Sequence, residues 1–368
     1  MLKPWSPLQN EAEVPSPALL LDLAAVDENL RRMVSIAGNP ERLRPHVKTH
    51  KLPQLIERQL KLGITKFKAS TIAEAEMTAV AGGHEVLLAM PLVGPAIARF
   101  LKLQETFPKV QFTAVADNPD VVSAMANAAS AAGQTIEVLV DLDVGQHRTG
   151  VAPEPAAELY AQIATTPGLR PGGIHAYDGH LHQTDLTART AAAKFIADAV
   201  LLIEKLFKTS GLPCPRIVMG GTPTFPCYAA LDEVECSPGT CVLWDAGYAE
   251  HFPDLHFLHA AALLTRVVSR PGPDLLCLDL GHKAVASEMP QPRVVFPALP
   301  DAQFVAHNEE HLVLRTPRAV EFPIGTALYG IPWHICPTVA LHGSVYVVES
   351  NRVTAEWPVV ARARKLSI

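Results

Sequence analysis

Long hydrophobic runs are missing from this 368-residue chain. The apolar run Ala199–Ile203 is broken at once by Glu204 and Lys205, far short of the roughly 20 residues that span a bilayer. A membrane partner is therefore not expected. An excess of positive charge is missing too. Lys and Arg number 31 against 37 Asp and Glu, a net charge of −6, so the chain lacks the clustered basic surface that neutralises phosphates and nucleic acid is excluded as main partner. The six cysteines (Cys214, Cys227, Cys236, Cys241, Cys277 and Cys336) form no C-x-x-C pair. Met1-Leu2-Lys3-Pro4-Trp5 carries no apolar leader segment. A disulfide framework is not expected, and a cytoplasmic location is the default. There is no internal repeat or low-complexity tract. Hydrophobic residues make up 48% and charged residues 18%, the balance of a soluble globular enzyme long enough for one large domain or two.

From about Ala18 to Tyr248, short apolar runs alternate with helical patterns. The strand candidates are Ala18–Leu23, Arg44–Thr49, Lys66–Ser70, Glu85–Met90, Gln111–Ala116, Ile136–Asp141, Gly173–Tyr177, Arg216–Gly220 and Glu235–Leu243. Helical patterns between them include Pro53–Leu62, Pro95–Thr106, Pro119–Ala132, Pro155–Ala164 and Leu186–Thr209, several with proline in the first turn, where its missing N–H costs nothing. Thr71-Ile72-Ala73-Glu74 reads as a capping box for a helix over Ala73–Ala81. This rhythm predicts an α/β (β/α)8 TIM barrel, with a doubly wound sheet as alternative. After Tyr248 the long helices stop. Ala261–Ser269, Leu275–Asp279, Arg293–Phe296, Glu310–Arg315, Ser344–Ser350 and Trp357–Arg362 predict a second, mostly β C-terminal domain. The barrel is expected to end near Tyr248, with the β domain after it.

Five segments carry chemistry. Arg44-Pro45-His46-Val47-Lys48-Thr49-His50-Lys51 puts basic side chains at a predicted strand end. A lysine there can bond an aldehyde cofactor, although a solvated basic turn fits the segment equally well. Met219-Gly220-Gly221-Thr222-Pro223-Thr224 follows an apolar strand, and its glycines let backbone approach a phosphate. Its position near the seventh or eighth strand is where barrels often bind phosphate, and Ser237-Pro238-Gly239-Thr240 could complete the cradle. Gly173–His182 runs a strand into Tyr177, Asp178, His180 and His182, titratable groups suited to acid–base work. His175 in that strand reads as packed. Asp141–Gly150 ends another strand, with Arg148 available to an anion. Lastly, in an extended Ile331–Thr338 segment, His334 and Cys336 project on one face and can grip a divalent ion, leaving positions open as catalytic metals do.

Together these segments resemble the D-threonine aldolase-like branch of the fold-type III pyridoxal-phosphate enzymes, the superfamily of alanine racemase and the eukaryotic-type D-serine dehydratases. The matching residues are Pro17–Asp22, Arg44–Lys51, His175–His182, Gly220–Thr224, Glu235–Thr240, Asn308–His311 and Trp333–Thr338, in family order along nearly the whole chain. The resemblance implies pyridoxal 5'-phosphate held by Lys48, with Lys51 as competitor. It implies cofactor contacts from His50, Arg148, Tyr177, Gly220, Gly221, Thr222, Gly239 and Thr240. It also implies a divalent metal (Mn2+, Mg2+ or Zn2+) on His334 and Cys336, with Glu310 and His311 lining the site. His180 or His182 would act on the substrate hydroxyl; spacing leaves both open. The implied division is a barrel over 22–248 and a β domain from 1–21 plus 249–368, and the implied activity is retro-aldol cleavage of a D-β-hydroxy-α-amino acid by a homodimer. Dehydration of D-serine or D-3-hydroxyaspartate, a racemase, and a non-catalytic pyridoxal-phosphate carrier are the alternatives.

Overall fold

The computed structural model describes residues 5–368; Met1–Pro4, where a leader segment would begin, lie outside the described residues. The chain divides into two compact units. One, the β unit, comprises the described residues up to Leu30, Thr49–Leu52 and Thr240–Arg362. The other, the α/β unit, comprises Arg31–Lys48, Pro53–Gly239 and Ala363–Ile368.

The first strand, β1 (Ala18–Asp22), is where the sequence predicts it, but it is not a barrel strand. It pairs inside the β unit, as described below. The α/β unit is built on β2 (Lys66–Ala69), β3 (Glu85–Leu88), β4 (Gln111–Ala116), β5 (Ile136–Leu142), β6 (Leu169–Ala176), β7 (Ile217–Met219) and β8 (Val234–Cys236). These seven strands form one parallel sheet in chain order. The helices Ile72–Val80, Pro95–Thr106, Pro119–Ala131, Ala156–Thr165 and Leu186–Thr209 return the chain between strands. Coverage by helices leaves the strands buried, so they read as near-continuous apolar runs; all seven residues of β5 are buried. Leu87, Val115, Leu139 and Val218, from four strands, form one apolar cluster.

Arg44–Thr49 is not the regular strand that the sequence predicts. Leu43 bridges Cys236 on β8, His46 bridges Lys68 on β2, and both bridges are parallel. Backbone bonds from Arg44 to Cys236 (2.8 Å), His46 to Pro238 (2.9 Å) and Lys68 to Pro45 (2.9 Å) join the two edges of the sheet. An irregular eighth stave therefore closes this α/β barrel. Pro45 supplies a carbonyl but no N–H, and the chain then tightens into the 3-10 turn Val47–Thr49. The buried Arg44 guanidinium anchors the stave, with Nε donating to Glu235 (2.6 Å) and Nη2 to Glu85 (2.8 Å), while Lys66 also donates to Glu235 (2.7 Å). Glu235–Leu243 likewise departs from expectation. Only β8 is strand there, followed by a loop and the 3-10 turn Thr240–Val242.

The β unit adds β9 (Ala261–Gly272), β10 (Leu275–Leu278), β11 (Val294–Val295), β12 (Gln303–His307), β13 (Leu312–Arg315), β14 (Ala327–Pro332), β15 (Ser344–Glu349) and β16 (Arg352–Pro358). The main path runs β12-β13-β10-β9-β1-β15-β16, with β14 on β9 and β11 on β14. β1 lies antiparallel to β9 (Ala18 opposite Leu264) and parallel to β15 (Leu20 opposite Tyr346). Its apolar Ala18 and Leu20 pack with Leu8, Val14, Leu264 and Val348. The predicted strand Trp357–Arg362 ends instead at Pro358 and gives way to a 3-10 turn over Val360–Arg362.

Candidate active site

In the α/β unit the titratable groups gather around one ring. Lys48 Nζ lies 5.8 Å, Lys68 Nζ 5.5 Å and the Arg148 guanidinium 5.2 Å from the Tyr177 ring centre, cation–π distances all. Lys48 is half-buried in its 3-10 turn, and Arg148 is exposed. Lys68 is buried in β2; burial first, and then the like charge of Lys48, pushes its pKa down to about 7. Burial, then Lys48, also holds His46 well below the usual imidazole range.

Beneath this cluster lies a carboxylate–imidazole pair. Asp141 Oδ1 meets His175 Nδ1 at 2.6 Å, both buried, and Thr149 donates to Asp141 Oδ2 at 3.0 Å. His175 Nε2 is buried and has no partner. Burial lowers the His175 pKa, against the attraction of Asp141. Asp178 accepts from Thr224 (3.1 Å) and Tyr228 (2.7 Å), and burial raises its pKa despite those bonds. His180 and His182 separate here. His182 is exposed. His180 is half-buried, its Nδ1 lacks a partner, and a Cβ on Gly145 would stand 2.7 Å from its Nε2.

The predicted phosphate turn is present. Gly220 takes φ +74°, and a Cβ there would stand 2.6 Å from the Tyr228 ring, so a bare backbone is needed; a Cβ on Gly221 would stand 3.1 Å from the Tyr177 ring. Thr222 Oγ1 accepts from Gly239 N at 3.1 Å, and Ser237 Oγ is buried without a hydrogen-bond partner. The unshared Ser237 hydroxyl beside glycine-rich backbone and a surplus of cations suit a phosphorylated aldehyde.

In the β unit, His334 Nδ1 pairs with Glu288 at 2.5 Å. Cys336 Sγ lies 3.2 Å from Thr49 Oγ1 and 3.6 Å from Thr240 Oγ1. The two predicted metal ligands do come together, but not on an extended segment. His334 is the N-cap of the helix Ile335–Leu341, and Cys336 lies in its first turn. Against the opposing effect of burial, Cys336, Asp245 and Glu288 raise the His334 pKa to about 9. Among the described residues no group of three His, Cys, Asp or Glu is arranged to hold a metal. His50 is buried, its Nδ1 accepts from Leu52 N at 3.1 Å, and burial pushes its pKa down to about 3. Lys51 adopts φ 55°. Glu310 and His311 lie on the exposed turn between β12 and β13, where Glu310 faces Lys283 at 3.4 Å.

Sequence reasoning missed Lys68 and the Asp141–His175 pair. The signal was a lysine inside Lys66-Phe67-Lys68-Ala69, a run expected to be buried on both faces.

The profile of the alanine racemase N-terminal domain matches residues 21–244. The chain belongs to this family. A serine dehydratase domain profile matches residues 260–348. The chain is 32% identical to a D-threonine aldolase of Arthrobacter sp, over 98% of this chain and 95% of that one. It is 26% identical to a D-threo-3-hydroxyaspartate dehydratase of Delftia sp. (strain HT23), over 93% and 96%. The solved D-threonine aldolase from Filomicrobium marinum superposes with a TM-score of 0.88 at 30% identity, covering 98% of this chain and 99% of that one. The alanine racemase family is a pyridoxal-phosphate family, and the cluster at Tyr177, with its glycine turn and unpartnered Ser237, fits that cofactor.

Proposed function

We propose that the chain cleaves the Cα–Cβ bond of D-β-hydroxy-α-amino acids, D-threonine-like substrates, to glycine and an aldehyde. The reading rests on Lys48 standing over Tyr177 beside the Gly220–Thr222 turn, in a chain related end to end to a D-threonine aldolase. When bound, pyridoxal phosphate supplies the electron sink for breaking a bond at Cα. Lys48 is the lysine we assign to its aldehyde carbon. Gly220, Gly221, Thr222 and Gly239 are assigned to its phosphate, and Tyr177 with Arg148 to its ring and anionic oxygen. His180 is assigned to take the β-hydroxyl proton, because its ring is half-buried with a free nitrogen whereas His182 is exposed.

In the β unit, His334 and Cys336 are assigned to a divalent cation, which supplies Lewis acidity toward a hydroxyl. Glu288 on His334 Nδ1 is the kind of carboxylate partner that orients a ligating imidazole. The imidazole–thiolate donor set favours zinc over manganese or magnesium. The protein is expected to work as a cytoplasmic homodimer, which light scattering of the holoenzyme would check.

Product analysis tests the function. The protein loaded with pyridoxal phosphate is incubated with D-threonine, D-phenylserine, D-serine or D-3-hydroxyaspartate, with Zn2+, Mn2+ or Mg2+ in turn. Glycine plus aldehyde is expected. Oxo acid plus ammonia would favour the second reading, dehydration, for which the serine dehydratase domain match and the Delftia relative speak. Neither product would overturn both.

A further inference from the structure

The charges around Tyr177 do not balance. Three cations, Lys48, Lys68 and Arg148, face its ring. The two aspartates of the cluster are committed elsewhere: Asp141 bonds His175 and Thr149, and Asp178 bonds Thr224 and Tyr228. Lys68 is only 2% exposed; Asp141 and Asp178 attract its ammonium, but burial and the like charges of Lys48 and Arg148 outweigh them. A buried lysine whose nearest carboxylates are bonded to other groups is costly for folding alone. β2 bears this cost at one end of the seven-strand order, beside the buried Asp141 and His175 of β5 and β6, which are already bonded to each other.

We propose that Lys68 is an anion-binding residue of this site, receiving an anionic oxygen brought by the ligand. It deepens the reading above and rests on it. Two sources share that chemistry, the phenolate of the cofactor and the carboxylate of the amino acid. Arg148, exposed on the loop after β5, is the second cation beside the same ring, so the ligand's negative charge would be shared between a buried lysine and a surface arginine. Lys68 is distinct from Lys48, which is assigned to the aldehyde carbon.

The test uses Lys68→Met, which keeps length and removes charge, and Lys68→Arg, which keeps charge. Apoprotein of each is titrated with pyridoxal phosphate and with its 3-deoxy analogue, followed by visible absorbance. The loaded proteins are then titrated with D-alanine and with D-alaninol, which lacks the carboxylate. If the phenolate is the partner, Lys68→Met weakens pyridoxal phosphate at least about tenfold and spares the deoxy analogue. If the carboxylate is the partner, it weakens D-alanine by as much and spares D-alaninol. In either case Lys68→Arg recovers most of the affinity. A folded Lys68→Met that binds all four probes like the parent overturns the proposal, and so does an equal loss toward all four, which would mark a packing role. Should Lys68→Met fail to fold, Lys68→Gln is read in the same way. A parent protein that takes up no pyridoxal phosphate would instead overturn the cofactor reading itself.

Discussion

Three lysines close in sequence meet three different fates. Lys51 follows the turn in a left-handed backbone conformation, Lys48 stands half-buried over Tyr177, and Lys68 is buried beside the same ring. Lys48→Ala is expected to abolish the visible absorbance of the cofactor-loaded protein, while Lys51→Ala keeps it; the reverse pattern would transfer the assignment. His50 makes a pH prediction. Its folded pKa of about 3 lies far below the usual imidazole value of 6.5, so the unfolded chain takes up the proton first. The stability that neutral His50 contributes is full above pH 6.5 and is lost as pH falls toward 3, at up to about 1.4 kcal/mol per pH unit. Urea unfolding of His50→Asn across that window should show a shallower acid slope than the parent; equal slopes would mean His50 is not buried neutral. At this scale the sequence was a partial guide. It singled out Lys48, Tyr177, His334 and Cys336, but Lys68 takes its meaning from Tyr177, more than a hundred positions away.

Elements were more legible where their signals are local. The predicted helix after Thr71 exists as Ile72–Val80, with Thr71 Oγ1 accepting from Glu74 N at 3.1 Å. The Glu74 carboxylate also accepts from Ser70 N at 2.6 Å. Thr71→Ala should cost about 1 kcal/mol in urea unfolding; no loss would mean that Ser70 and Glu74 alone hold the helix start. Gly173 in β6 is more demanding. It takes φ +111°, and a Cβ there would stand 1.9 Å from the Arg216 carbonyl oxygen. Gly173→Ala should destabilise by more than about 3 kcal/mol, by strain and overpacking together, read as a lost urea transition or insoluble protein. A near-neutral result would show that β6 and β7 can separate. Arg44–Thr49 misled as a strand, and Ile331–Thr338 as an extended segment. Single bridges on either side of Pro45 leave no ladder, and a helix begins at His334.

At the scale of the whole molecule, the two proposed roles are assigned to residues of different units. Cofactor binding is assigned to the α/β unit and metal binding to the β unit. Prolonged treatment with a chelator should therefore lower turnover at least about tenfold while leaving the cofactor's visible absorbance in place. Added Zn2+ should restore activity in the parent but not in His334→Ala. Loss of the cofactor spectrum with the metal would show that the roles are not separable. Saturation with pyridoxal phosphate should also raise the unfolding free energy by about 2.7 kcal/mol at a hundred times Kd, measured as a rise in Tm.

The sequence by itself determined the order of elements, the change from α/β to β texture after Tyr248, the glycine turn at Gly220 and the motif order that marks the family. Each is written in near neighbours, as periodicity, capping or chain order. Only the tertiary structure decided that residues 43–46 close the barrel, and that Lys68 and the Asp141–His175 pair share a cluster with Tyr177. Those outcomes come from packing and charge pairing between distant positions, as when Arg44 finds Glu235 across 191 residues of sequence. No local pattern encodes the energy of such a contact, because it exists only once both elements are folded against each other.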